Sequence, residues 1–154
     1  MTTPSPHLRR AMPDDADILA ALTNAAYEKY VPILGRKPQP MLADYRQMAA
    51  DYSIWLLEVD AQPAGLLVLI FQVDHVLIYS VAVHPDYQKR GLGKVLLAWA
   101  ETQAREAHLH LMRLYTNEKM VENIALYERV GYEMTEREAY LGGALVHMAK
   151  RLSG

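Results

Sequence analysis

The chain contains no cysteine, which excludes a disulfide framework, thiolate metal sites and a cysteine nucleophile. It also lacks the commonest residue for holding an acyl group covalently between two half-reactions. Any acyl transfer is therefore expected to run by direct attack of the acceptor. A charge excess of one sign is equally lacking: 16 Lys and Arg against 18 Asp and Glu leave a formal −2, with a pI near 6.3. That balance supplies no electrostatic footprint for nucleic acid or an anionic membrane, and neither is expected as a partner. Long hydrophobic runs are missing too. The longest, Ala64 to Phe71, falls far short of the roughly 20 residues a membrane helix needs. Met1 to Arg10 carries proline and serine without an apolar core, so no signal peptide is expected and a cytoplasmic location follows by default. Repeats, low-complexity tracts and linker-like breaks are absent as well.

What remains is an ordinary globular balance, 51% apolar and 22% charged over 154 residues, long enough for one domain with a real core, residues 1–154. A strand is expected at His7 to Ala11. Pro13-Asp14-Asp15-Ala16-Asp17 then opens a helix, with an early proline and carboxylates suited to the helix dipole. Ile18, Leu19, Leu22, Ala25 and Ala26 form its apolar stripe, and Pro32 is expected to end it. Val31 to Pro40 holds three prolines, a glycine and the cations Arg36 and Lys37, and reads as a loop. A second helix is expected over Met41 to Ala50.

Three strands follow, Ser53 to Val59, Ala64 to Val73 and Val76 to Val83, separated by turns at Asp60 to Pro63 and at Asp74-His75. The middle one is apolar almost throughout, as a central strand buried on both faces would be. His84-Pro85 stops the ladder, because proline has no N–H to donate. Leu92, Val95, Leu96, Trp99, Ala100 and Gln103 recur at helical spacing within Gly91 to Ala107. A strand at His110 to Tyr115, a helix at Met120 to Val130, a strand at Tyr132 to Glu138, a turn at Gly142-Gly143 and a strand at Ala144 to Leu152 complete the chain. The alternation defines an α/β or α+β three-layer fold with a predominantly antiparallel front half.

One segment carries chemistry. Gln88-Lys89-Arg90-Gly91-Leu92-Gly93-Lys94 lies between a buried strand and the start of a helix. Its glycines let the backbone turn sharply and approach a ligand, and free N–H groups at a helix N-terminus suit an anion such as pyrophosphate. A Walker loop requires Ser or Thr after Gly93-Lys94, where Val95 stands. A dinucleotide fingerprint requires a third glycine, where Leu96 stands. A coenzyme A pyrophosphate loop and a plain glycine-rich helix cap remain.

Ser80 to Gly93 resembles the signature of the GNAT acetyltransferases, a strand followed by Gln/Arg-x-x-Gly-x-Gly/Ala. Asn123-Ile124-Ala125-Leu126-Tyr127-Glu128-Arg129-Val130-Gly131-Tyr132 resembles that family's second motif, in the expected order and separation. Together they cover the C-terminal half; the first half agrees only in its coarse order of elements. The resemblance implies a twisted mixed sheet of six or seven strands, helices on both faces, and a splayed central strand pair. It implies acetyl-CoA as cosubstrate, with Val81, Ala82 and Val83 along the pantetheine and the amides of Gln88, Lys89, Arg90, Gly91, Leu92, Gly93 and Lys94 at the pyrophosphate. It places Tyr127 as the acid that protonates the departing thiolate, since a phenol of pKa about 10 matches a thiolate. Asn123 stands ready for the pantetheine amides. Met120 occupies a position where many relatives carry asparagine, and Asn123 or Asn117 is left to take over that contact.

The base is the point of departure. Relatives often place a glutamate in the strand before the loop, where Leu77-Ile78-Tyr79-Ser80 stands here. Tyr79 or Ser80 acting through water, Glu28 and Asp74 are the alternatives, with Tyr79 the candidate taken and a buried cross-strand tyrosine its bland counterpart. The family's acceptor side implies Tyr27, Tyr30, Arg36 and Tyr140 as substrate-binding residues, with Met41 and Tyr45 nearby; aromatic walls beside one cation suit a small polar or aromatic amine. His108 and His110 lack a third ligand, so no metal is expected. The function implied is transfer of acetyl from acetyl-CoA to a primary amine of a small molecule or peptide, through a ternary complex. A non-catalytic acetyl-CoA sensor and a tRNA-acetylating toxin are the other readings. Homodimers are frequent among the proteins it resembles; the sequence leaves the oligomeric state open.

Overall fold

The computed structural model describes residues 6–153, so the reading of the first five positions as free of a signal lies outside the described residues. β1 (His7–Arg10) leads through a 3-10 turn at Pro13–Asp15 into α1 (Ala16–Tyr27). Arg9 ties this entry together, reaching Asp15 at 3.0 Å and Glu58 at 3.2 Å. Pro32 does not end the helical segment as expected. A 3-10 turn at Glu28–Tyr30 continues into a short α2 (Val31–Leu34), where Pro32 sits in the first turn and its missing N–H costs nothing. The stop is Gly35, whose φ of 76° is the left-handed conformation that glycine adopts freely at a helix end.

A 3-10 turn at Gln39–Leu42 precedes α3 (Tyr45–Asp51), which starts later than the sequence suggested because Asp44 caps it, accepting from the Gln47 amide at 3.2 Å. β2 (Ser53–Val59) and β3 (Gln62–Phe71) then pair as a hairpin. Its turn is only Asp60-Ala61, both with positive φ (52° and 62°), the two-residue geometry whose twist matches antiparallel strands. β4 (Val76–Val83), α4 (Leu92–Glu106), β5 (Leu111–Asn117), α5 (Val121–Arg129), β6 (Glu133–Tyr140) and β7 (Gly143–Arg151) follow. The strands form one sheet in the order β1-β2-β3-β4-β5-β7-β6, antiparallel throughout except for β4 beside β5.

Strand alternation divides the core between the two faces. Ile54, Leu56, Leu66 and Val68 pack against Leu19, Leu22 and Ala26 of α1 and Tyr45 and Ala49 of α3. Leu57, Leu67 and Leu69 pack against Leu92, Leu96, Leu97, Ala100 and Ala104 of α4. Each fully buried aliphatic side chain of this kind stabilises by about 1.5–3 kcal/mol relative to exposure. α4 crosses one face to bring the chain back parallel to β4, a connection no tight turn can make.

The feature that positions the site is where β4 and β5 part. They are in register only at Val76↔Met112 and Leu77↔Arg113. Directly afterwards β4 bulges: Ile78 pairs with Leu69 and Ser80 with Val68, so Tyr79 has no partner on β3. A bulge adds a residue to one strand and increases its local twist and bend. β4 therefore swings away from β5, and the gap opens from residue 78 onward.

Candidate active site

The loop before α4 leaves a run of backbone donors unpaired. Gly91 is the helix N-cap with φ 76°, a conformation costing an L-residue with a Cβ about 1–2 kcal/mol. Lys89 also has a positive φ, 66°. Among the described residues, the amides from Lys89 to Lys94 donate to no protein acceptor, and Val95 is the first to bond back, to the Gly91 carbonyl at 3.2 Å. These free donors converge at the positive end of a helix of 15 residues. Gly93 serves packing instead: a Cβ there would stand 2.9 Å from Leu126 Cδ2 on α5. Gln88 Nε2 donates to the Val83 carbonyl at 3.2 Å and ties the loop to the end of β4.

A cleft of about 690 Å³ runs from this loop into the gap beside β4. Val81, Ala82, Val83, Gln88, Lys89, Gly91, Leu92, Gly93, Lys94 and Asn123 all line it. Arg90 does not; its guanidinium lies over the Tyr87 ring at 5.2 Å. With β5 absent from its side, β4 turns alternate backbone N–H and C=O groups into the cleft beyond the last register pair. Lys29 and Glu122, neither singled out in the sequence, both line this cleft and bond to each other at 2.9 Å. Tyr30 lines it too, buried beneath the Lys29 ammonium, rather than lining the acceptor side where the family likeness put it.

A second cavity of about 420 Å³ contains Tyr27, Arg36, Tyr79, Tyr127 and Tyr140 of the expected residues. Tyr27 lines both spaces, so the two meet at its side chain. Arg36 donates to the Leu141 carbonyl at 3.1 Å and links the prolyl loop to the β6–β7 turn. Glu28, Asp74, Met41 and Tyr45 line neither space. Tyr45 is a packing residue, its hydroxyl donating to the Pro40 carbonyl at 2.6 Å and accepting from Thr23 at 3.1 Å. Asn117 lines the second cavity, but its Oδ1 already accepts from the Lys119 amide at 2.9 Å, so Asn123 is the asparagine facing the cleft. Among the described residues no cluster of three His, Cys, Asp or Glu could hold a metal ion.

The cavity phenols are held protonated. Burial pushes the Tyr127 phenol well up, with Tyr27, Tyr132 and Tyr30 adding repulsion to its ionised form. Burial raises Tyr27 as well, against a weak hydrogen bond to Ser80 Oγ at 3.4 Å. Tyr79, released from the ladder by the bulge, is raised by burial and by Tyr115 and Tyr52. A phenol held that way stays protonated, so Tyr127 carries a proton but is a weaker acid than the free phenol that matches a thiolate, and Tyr79 is opposed as a base. The sequence passed over Tyr115, Glu138 and His147 in this cavity. Their signal was the two-residue alternation of β5 and the β6–β7 hairpin, legible only once the strand faces are known.

A mixed sheet opened between two parallel strands, with a loop of unpaired amides at one end of the gap and a second cavity at the other, is the architecture of the site. Residues 19–132 match the model of the Acetyltransferase (GNAT) family, and the chain belongs to that family. It is 30% identical over 92 residues to the [Ribosomal protein bS18]-alanine N-acetyltransferase of Salmonella typhimurium, spanning 59% of this chain and 62% of that protein. It is 31% identical over 68 residues to the L-amino acid N-acyltransferase MnaT of Escherichia coli, over 44% of this chain and 40% of that protein. The match thus spans less than two thirds of either relative. The PaiA N-acetyltransferase of Thermoplasma acidophilum, solved in complex with coenzyme A, shares the fold with a TM-score of 0.78 at 15% identity, covering 96% of this chain and 99% of that one.

Proposed function

We propose that this chain transfers an acetyl group from acetyl-CoA directly to a primary amine of a small molecule or peptide, both substrates bound at once. The observation that carries the reading is the junction at Tyr27 of a cleft ending in free amides and a separate cavity holding Tyr127. The cleft fits the cosubstrate: unpaired N–H groups and Lys89 and Lys94 await an anion, and the open edge of β4 offers backbone pairing to an extended amide-bearing arm. When bound, acetyl-CoA supplies the activated acetyl group. Backbone N–H groups of Val81 or Val83 polarise its carbonyl, and Tyr127 donates its proton to the departing sulfur. The relatives named above act on the α-amines of an alanine residue and of L-amino acids, which supports a primary amine as acceptor.

The test is release of CoA from acetyl-CoA across amino acids, polyamines, aminoglycosides, arylamines and peptide N-termini. Release dependent on one acceptor class is the expected result. Thermal stabilisation by acetyl-CoA with no turnover on any amine of the panel would point instead to a sensor or to an acceptor outside the panel, the sensor being the reading favoured by the lack of a carboxylate at Leu77 to Ser80.

A further inference from the structure

An amine acceptor arrives largely as ammonium and must lose a proton before it attacks, yet β4 supplies no carboxylate for this. Inside the second cavity the choice is narrow. The phenols of Tyr27, Tyr79, Tyr115 and Tyr127 are raised by burial and are poor proton acceptors, and the hydroxyls of Ser80 and Tyr140 are weaker acceptors of a proton than an imidazole or a carboxylate. Arg36, Lys37 and Lys119 are cations. His147 and Glu138 remain, and they are bonded to each other, His147 Nε2 to Glu138 Oε1 at 3.0 Å.

Resting on the transferase reading above, we propose that His147, held by Glu138, is the catalytic residue that accepts the proton of the amine. His147 lies on β7 between Val146 and Met148, which face the core under α4, so its own side chain is on the opposite, cavity face. Tyr115 stands directly across from it on β5, ring centroids 5.7 Å apart, and Glu138 reaches it from β6. The imidazole is thus held by neighbours on two strands, yet its side chain is 30% exposed and lines the cavity. Carboxylate acceptance at Nε2 sets the tautomer with the proton there and leaves the lone pair on Nδ1.

The proton count closes. His147 Nδ1 takes one proton from the ammonium and passes it to solvent. The neutral nitrogen forms the C–N bond at the thioester carbonyl carbon as the C–S bond breaks, and Tyr127 gives its proton to the sulfur. The second proton lost by nitrogen as the amide forms returns the Tyr127 phenolate to phenol. The sum is ammonium plus thioester giving amide, thiol and one released proton.

The test uses three named acceptors chosen for the apolar walls of Leu34, Leu42 and Leu145: L-methionine, L-phenylalanine and alanyl-phenylalanine amide. On whichever of them the wild type acetylates, H147A is expected to lose about 10²–10⁴-fold in kcat, the range of general acid–base catalysis. Acetyl-CoA should raise its Tm as it does for the wild type, and added free imidazole should restore part of the lost turnover. E138Q should lose less and respond less to imidazole. Wild-type turnover in H147A, or a loss that imidazole leaves untouched while folding is intact, overturns the assignment of His147 alone. No acetylation of any of the three by the wild type overturns the transferase reading for these acceptors and the assignment with it.

Discussion

At the scale of single residues, Tyr127 combines a place beside the second cavity with a phenol that stays protonated. It is 6% exposed and borders the second cavity, and its environment disfavours the phenolate. Tyr127→Phe keeps the ring that packs against Tyr132 at 6.1 Å and removes only the proton. Turnover is expected to fall by about 10²-fold or more while acetyl-CoA raises the Tm of the variant as much as that of the wild type. Equal turnover would remove Tyr127 from the mechanism. Because the phenol is raised rather than lowered, its ionisation should impose no alkaline loss of kcat below about pH 10, the ordinary tyrosine value. A Cβ at Gly91 would meet nothing within 4 Å, so that glycine is needed for its backbone angle and not for space.

At the scale of elements, two contacts show how the sheet and its helices are held, one beside the gap and one at the β1 edge. Gly65 on β3 faces Val83 on β4, and a Cβ there would sit 2.8 Å from the Ala82 carbonyl oxygen and 3.3 Å from Leu96 Cδ1. Backbone cannot yield as a side-chain tip can. Gly65→Ala is therefore expected to destabilise by about 1–3 kcal/mol, the usual cost of overpacking, whereas Gly93→Ala, which meets only the end of Leu126, should cost less; urea unfolding compares them. The second contact is Asp15, whose carboxyl is held below its usual value by the Arg9 side chain and the Met12 amide. A depressed carboxylate stabilises fully above its unfolded pKa of about 3.9 and loses that contribution as pH falls through its lower folded value. Asp15→Asn should thus lower the Tm at neutral pH, and its difference from the wild type should shrink in acid. A constant difference at all pH would mean that Asp15 acts through packing alone.

For the molecule as a whole, the cleft makes cosubstrate binding and stability one measurement. A ligand bound only by the folded state stabilises by about 2.7 kcal/mol at a hundredfold excess over Kd, so saturating acetyl-CoA should raise the Tm by several degrees for a chain of this size. Failure of both acetyl-CoA and CoA to shift the Tm would remove the cleft from any role in binding them. No helix among the described residues is long and apolar enough to cross a membrane.

How much of this was legible beforehand follows from the range over which each signal acts. Periodicity, prolines and glycines are local, and α4, β2, β3 and β4 lie close to where those signals placed them. The donor loop was legible for the same reason, since Gln88 to Lys94 is one continuous segment whose glycines and helix start sit next to each other in sequence. Pro32 misled because proline is unfavourable inside a helix but harmless in its first turn, and only the break after α1 decides which applies. The bulge at Tyr79 was invisible, because it is a relation between β4 and β3 and leaves no mark in either strand alone.

The amino-acid sequence by itself determined the element order, the glycine loop before α4 and the candidate acid, each encoded in residues within a turn or two of one another. The family likeness implied the opening between β4 and β5, but only the tertiary structure decided where it begins and which residues meet in the second cavity. That cavity draws Arg36 from a loop, Tyr79 from a bulge, Tyr115 from a central strand, and Glu138 and His147 from the last hairpin. Which of these meet depends on strand register, and a shift of one residue would turn each strand's side chains to the other face.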